Sequence, residues 1–219
     1  MSTTQAPSFG TVVLDVDSTV SGIEGIDWLA ARRGEATADR VRALTADAMR
    51  GAVPLEDVYG KRLSIIRPRR EEIEALSRAY VDAVAPDCAS VIHHLQQAGV
   101  QIVLVSGGLR PALIPLAMHL GVDLADLHAV NVRFDSGGAY VGFDAASPLT
   151  TTNGKRVVLE TIALTGPVLA VGDGSTDVAM RDVADRFVGF TGFVRRDAVV
   201  AKADGTVSSF AELARLVLP

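Results

Sequence analysis

Four short, charge-poor runs of β-branched and other apolar residues recur along the chain, at Thr11 to Leu14, Val100 to Val105, Pro167 to Val171 and Arg186 to Phe190. Each reads as a strand buried on both faces. Helical patterns fill the spaces between them. Ala89 to Ala98 puts Val91, Ile92 and Leu95 on one face and stops at Gly99, and Lys155 to Leu164 and Thr176 to Val183 also read as helices. Doubly buried strands that alternate with helices specify an α/β fold with a parallel sheet. After Arg110 a helix is expected to stop at Gly121, with an irregular first turn because Pro115 deletes a hydrogen bond.

From Ser21 to about Pro86 the pattern changes. No strand-like run occurs there, charges are frequent, and Ile73, Leu76 and Tyr80 make one apolar stripe on a charged helix. This predicts a small helical cap, residues 21–86, inserted after the first strand of a core made of residues 1–20 and 87–219. A length of 219 residues suits one main domain carrying such an insertion. Leu127 to Phe143 is expected to form a short β-hairpin around Asp135-Ser136-Gly137-Gly138.

Composition excludes several function classes. A net charge of -5 gives no general pull toward nucleic acid or an anionic membrane. Cys88 is the only cysteine, so an intramolecular disulfide and multi-thiolate zinc sites are both ruled out. Met1 to Gly10 lacks the basic start and apolar stretch of a secretory signal, and no run approaches the roughly 20 residues of a membrane span. A cytoplasmic protein, monomer or homodimer, is expected. His93, His94, His119 and His128 show no metal spacing, and no serine sits in a nucleophile elbow. They, Trp28 and Cys88 are expected to be structural, and Arg195-Arg196 to be a solvated helix face.

Chemistry concentrates at strand ends. Asp15-Val16-Asp17-Ser18-Thr19 follows the first strand, where open α/β sheets present their ligand sites. Two buried acids there need a cation or a shared proton. Gly172-Asp173-Gly174-Ser175-Thr176-Asp177 places two more carboxylates after another strand, and carboxylate oxygens suit Mg²⁺. A dinucleotide fingerprint is disfavoured, because Asp177 stands where glycine or alanine is needed and would repel pyrophosphate. Ser106-Gly107-Gly108 offers a hydroxyl and backbone N–H groups for phosphate oxygens, although by itself it also suits an ordinary turn. Lys155 by itself also suits a surface lysine.

Taken together, these groups can be counted as charges. Four carboxylates face three positive charges from Mg²⁺ and Lys155, so one carboxyl should hold a proton. That division fits phosphoryl transfer: Asp15 attacks phosphorus, Asp17 protonates the leaving alkoxide and then activates water, and Mg²⁺, Lys155 and Ser106 neutralise the phosphoryl oxygens.

The order Asp-x-Asp-Ser-Thr, Ser-Gly-Gly, distant lysine, Gly-Asp-Gly-x-x-Asp resembles the haloacid-dehalogenase superfamily of aspartate-nucleophile phosphatases, over nearly the whole chain. Within it, VDSTVSGIEGIDWLA, AMRGAVPLEDVYGKRLSIIRP, VSGGLRPAL, YVGFD and VGDGSTDVAM resemble the phosphoserine phosphatase family. The resemblance implies a Rossmann-like core, a Mg²⁺ cofactor and O-phospho-L-serine as substrate in the last step of serine biosynthesis. It implies Asp15 as nucleophile, Asp17 as acid/base, Ser106, Gly107 and Lys155 as phosphate ligands, and Asp15, the backbone carbonyl of Asp17 and Asp173 as metal ligands. Asp177 would brace the metal's outer shell, and Thr176 would bond a phosphate oxygen or Lys155. Glu24 and Arg62 would hold the substrate's amine and carboxylate, and Met49 would pack against it. The chain departs from the family pattern at Arg50-Gly51, where two glycines are expected. Two other readings compete: a phosphatase or phosphotransferase of the same chemistry on phosphothreonine, phosphohomoserine or another phosphorylated small molecule, including transfer to an alcohol such as homoserine, and a receiver-like signalling module. A receiver would need neither the cap nor an acid/base two residues after the nucleophile.

Overall fold

The computed structural model describes residues 6–50 and 52–219, the side chain of Met49 excepted. Strand β1 (Thr11–Leu14) leads into four consecutive helices, α1 (Gly25–Ala31), α2 (Glu35–Met49), α3 (Leu55–Ile66) and α4 (Arg70–Asp82). Next come α5 (Cys88–Gln97), β2 (Gln101–Leu109), α6 (Arg110–His119), β3 (Leu127–Val130), and the hairpin β4 (Val132–Phe134) with β5 (Tyr140–Phe143). Helix and strand then alternate through α7 (Gly154–Thr161), β6 (Val168–Gly172), α8 (Ser175–Val178), β7 (Arg186–Phe190), α9 (Asp197–Val200), β8 (Gly205–Val207) and α10 (Phe210–Val217).

Six strands pair in the order β3-β2-β1-β6-β7-β8, every pair parallel. All four residues of β1 and all five of β6 are buried, which is why both read as unbroken apolar runs. The chain leaves β1 toward β2 and leaves β6 toward β7 on the opposite side, so a crevice opens at the carboxyl ends of β1 and β6. Leu14 pairs with Val171 there, and the residues just beyond are Asp15 and Gly172-Asp173.

The four helices after β1 pack as amphipathic rods. Helix α3 buries Leu55, Val58, Tyr59, Arg62, Leu63 and Ile66, and α4 buries Ile73, Leu76, Ser77 and Tyr80, both at helical spacing. Arg33 ties this layer together. Its guanidinium grips both carboxylate oxygens of Glu72 at 2.6 Å, and its Nε donates to the Ile66 carbonyl at 2.8 Å. Across the crevice, Tyr59 donates to the Gly107 carbonyl at 2.8 Å and Ser175 to the Ala48 carbonyl at 3.1 Å, so the helices close over the strand ends.

Several elements differ from the sequence expectation. Strand β2 does not end at Val105; it continues to Leu109 through a register shift, so Ser106-Gly107-Gly108 is an irregular strand segment, not a turn. Leu127–Val130 joins the main sheet as its edge strand, and only β4 and β5 form the hairpin. Helix α6 begins regularly at Arg110 and runs through Pro115, because buried Ala112, Leu113, Leu116 and Ala117 anchor it around the one lost hydrogen bond. The helix read at Thr176 to Val183 is a single turn, α8, followed by a 3-10 turn over Ala179–Asp182. Among the described residues no helix is long and apolar enough to cross a membrane.

Replacing Arg33 by Met keeps the aliphatic stem but removes the fork. Urea unfolding is expected to show a loss of about 1.5–3 kcal/mol, the range for hydrogen bonds to charged groups. An unchanged midpoint would mean that Arg33 does not fasten the helical layer.

Candidate active site

Buried carboxylates meet at the crevice. One oxygen each from Asp15, Asp173 and Asp177 lies within 4.8 Å of the others, and all three residues are buried. Asp15 leaves the end of β1 with its amide bonded to the Val171 carbonyl at 3.0 Å, and Asp173 leaves the end of β6. Asp177 folds back over Gly172, where a Cβ would lie 2.3 Å from the Asp177 carboxyl carbon, so only glycine fits.

Lys155, on the first turn of α7 and also buried, bonds Asp15 Oδ1 and, at 2.5 Å, Asp177 Oδ1. Burial opposes its charge, but the two acids outweigh burial and hold its pKa above the ordinary lysine value. Asp15 is pushed well above the ordinary carboxylate range, first by burial and then by the charge of Asp177, with Lys155 opposing. Thr19 offers its hydroxyl to Asp173 Oδ1 at 3.3 Å and Asp15 Oδ2 at 3.4 Å. Asp173 Oδ2 is buried without a well-formed hydrogen bond, although the Arg196 guanidinium presses against it. An oxygen-only, buried, under-satisfied donor set of this kind fits a small hard cation. Asp177 has its second oxygen on the Gly174 amide at 2.8 Å, so its two oxygens are already engaged.

Asp17 stands apart from the three-carboxylate cluster. Its Oδ1 accepts from the Tyr80 hydroxyl and the Gly25 amide, both at 2.7 Å, and its Oδ2 accepts from Ser106 at 3.1 Å. Tyr80 is fully buried, and burial followed by the charge of Asp17 raises its pKa, which keeps the phenol a donor. Between Asp17 and the helical layer, Ser18 adopts a left-handed φ of 54° and donates to Glu24 Oε1 at 2.8 Å. A non-glycine residue in that region is strained, and here it turns the chain from strand to helix.

The sequence-predicted residues converge with three qualifications. Asp15, Asp17, Glu24, Arg62, Gly107, Lys155, Asp173, Thr176 and Asp177 line one cavity of about 60 Å³. Ser106 lies behind the wall, bonded to Asp17 and to the Gly108 amide at 2.8 Å. Among the described residues no hydrogen bond joins Thr176 to Lys155. Met49 has its side chain outside the described residues. Arg50 is exposed, pairs with Asp47 at 2.5 Å, and lines an adjoining cavity of about 580 Å³.

One expectation is overturned. Arg195 is exposed, but Arg196 is not a solvated charge: it contacts Asp173 and reaches Glu24 at 3.5 Å. Tyr59, Asp27 and Thr45 also escaped the sequence reading, and Tyr80 entered it only as part of an apolar stripe. Asp27 follows Glu24 by three residues and Tyr59 precedes Arg62 by three, so helical spacing alone would have put each pair on one face.

The chain is similar to known proteins. A model of the haloacid dehalogenase-like hydrolases matches residues 12–182. The chain is 35% identical over 205 residues to the phosphoserine phosphatase of Bos taurus, covering 92% of this chain and 90% of the bovine one. Over 212 residues it is 31% identical to the phosphoserine phosphatase of Halobacterium salinarum, covering 94% and 96% of the two chains. A solved substrate-bound phosphoserine phosphatase complex superposes with a TM-score of 0.81 at 25% identity, covering 94% of this chain and 97% of that one. A phosphoserine phosphohydrolase-like protein from Francisella tularensis shares the fold with a TM-score of 0.86 at 23% identity, covering 94% and 98%. The chain therefore belongs to the haloacid dehalogenase-like hydrolases and, within them, to the phosphoserine phosphatase family.

Proposed function

We propose that this enzyme hydrolyses O-phospho-L-serine to L-serine and phosphate through an aspartyl-phosphate on Asp15. The observation that carries this reading is a buried Asp15 at the sheet's switch point, held by Lys155, in one cavity with Asp17, Glu24 and Arg62. An Asp15 oxygen bonds to phosphorus as the ester P–O bond breaks, and Asp17 gives the departing seryl oxygen its proton. Asp17 then takes a proton from the water that attacks phosphorus, which frees phosphate and restores Asp15. Tyr80, the Gly25 amide and Ser106 fix the orientation of Asp17 for both transfers. Lys155 offers positive charge to the phosphoryl oxygens, and Gly107 and Thr176 face the same space.

Asp15, Asp173 and the Asp17 backbone carbonyl would hold Mg²⁺, with Asp177 bracing them. When bound, Mg²⁺ supplies charge neutralisation at the phosphoryl group. Residues 21–86 act as the substrate-selecting cap, with Glu24 on the ammonium and Arg62 on the carboxylate of the zwitterion.

Phosphate release from phosphoserine, phosphothreonine, phosphoethanolamine and a phosphosugar, with Mg²⁺ or EDTA, tests the reading. Phosphoserine is expected to be preferred, EDTA to abolish turnover, and Asp15→Asn to retain less than about a thousandth of it. Turnover that survives Asp15→Asn would remove Asp15 from the chemistry.

Tyr80→Phe deletes one hydrogen bond to Asp17. Its kcat is expected to fall about tenfold with KM little changed, the result of about 1.4 kcal/mol lost at an acid/base group. An unchanged kcat would show that Tyr80 only fills space.

Burial, and then the charge of Asp17, push the pKa of Glu24 up to about 7. Below that pH Glu24 is neutral and loses its hold on an ammonium; above it the carboxylate forms. The wild-type kcat/KM for phosphoserine should therefore rise through neutrality more steeply than that of Glu24→Gln. Parallel pH profiles for the two proteins would rule out Glu24 as the amine ligand.

A further inference from the structure

Arg62 is buried at 3% exposure, yet it has no direct ion pair among the described residues. Its guanidinium is held another way. The terminal nitrogen Nη1 donates to Thr45 Oγ1 at 3.1 Å, and Thr45 in turn donates to Asp27 Oδ1 at 2.7 Å. The ring of Tyr59 lies 5.4 Å away. Three helices supply these groups, α1 for Asp27, α2 for Thr45 and α3 for Tyr59 and Arg62. Arg62 Nε is buried with no partner among the described residues, and Asp27, Thr45, Tyr59 and Arg62 all line the cavity that holds Asp15.

A hydroxyl carries a single proton. Thr45 can also reach the Val41 carbonyl, but at 3.2 Å, and the closer, charged acceptor is Asp27. With its proton on Asp27, Thr45 must turn a lone pair toward Arg62. A carboxylate placed directly on the guanidinium would occupy the fork that a ligand carboxylate needs. Interposing a hydroxyl aligns the fork and leaves its charge available.

We infer that Thr45 and Asp27 are positioning residues that hold Arg62 ready for the substrate's carboxylate, and so set selectivity for phosphorylated amino acids over phosphorylated amines. This rests on the reading of Arg62 as the carboxylate ligand. It adds a cause for that ligand's geometry, located in two residues that need not touch phosphate.

The test compares kcat/KM for O-phosphoserine and for phosphoethanolamine, which keeps the amine and lacks the carboxylate. Thr45→Val is expected to lower the phosphoserine value about tenfold, mostly through KM, and to leave phosphoethanolamine within about twofold. Asp27→Asn should give a smaller loss of the same kind, since an amide carbonyl still accepts the Thr45 proton. Thr45→Ser should restore the preference. Equal losses on both substrates in Thr45→Val, or a Thr45→Ser no better than Thr45→Val, would make the role merely structural and overturn the inference. No loss on either substrate would overturn it too. If the wild type itself does not prefer phosphoserine, Arg62 is not a carboxylate ligand, and the inference falls with that reading whatever the variants do.

Discussion

Negative charge held out of water governs the carboxyl edge of this sheet. Asp15, Asp173 and Asp177 are almost completely buried, and each ionised carboxylate in such a place costs several kcal/mol unless compensated. Lys155 supplies the compensation for two of them, and Arg196 reaches the third. Much of the local architecture follows. β1 and β6 must end side by side, Gly172 must lack a side chain so that Asp177 can fold back, and α7 must begin where its second residue meets two acids. Burial, followed by the charge of Asp177, pushes the pKa of Asp15 up against the pull of Lys155, at the group proposed as the nucleophile.

The helical layer covers this edge and lends it side chains. Tyr59 and Tyr80 come from that layer, and one reaches the Gly107 carbonyl while the other reaches Asp17. Closure of the helices and the orientation of Asp17 are thus joined through hydrogen bonds. Glu24 and Arg62 line the same cavity with different partners, Arg196 and Ser18 on the first and Thr45 on the second. Under the proposed function, chemistry and recognition share one small cavity but draw on different elements, so substitutions in the helices would change preference without touching Asp15.

The sheet was largely readable because strands buried on both faces leave unbroken apolar runs, as β1, β6 and β7 do. Asp15, Asp17, Asp173 and Asp177, which line one cavity, drew notice because acids just after buried strands need a cation or a shared proton. What escaped depends on distance in space. Ser106-Gly107-Gly108 looked like a turn because local composition cannot reveal a register shift between β2 and β3. β3 was read as part of a hairpin because four residues with two partly exposed positions carry too little pattern to tell a sheet edge from a ribbon. The strand β8 has three residues, too few for a periodicity. Arg196 lies more than 20 residues from Asp173 and far from Glu24 in sequence, so a charge pair there looked like solvent-facing arginines.

The proposed chemistry requires phosphorus to bond to Asp15. Quenching the enzyme during phosphoserine turnover and reducing it with borohydride converts an acyl phosphate to the alcohol, and peptide mass spectrometry then locates the residue. Homoserine at position 15, absent without substrate, is the expected result. Unmodified Asp15 during active turnover, or reduction at another residue, would contradict it.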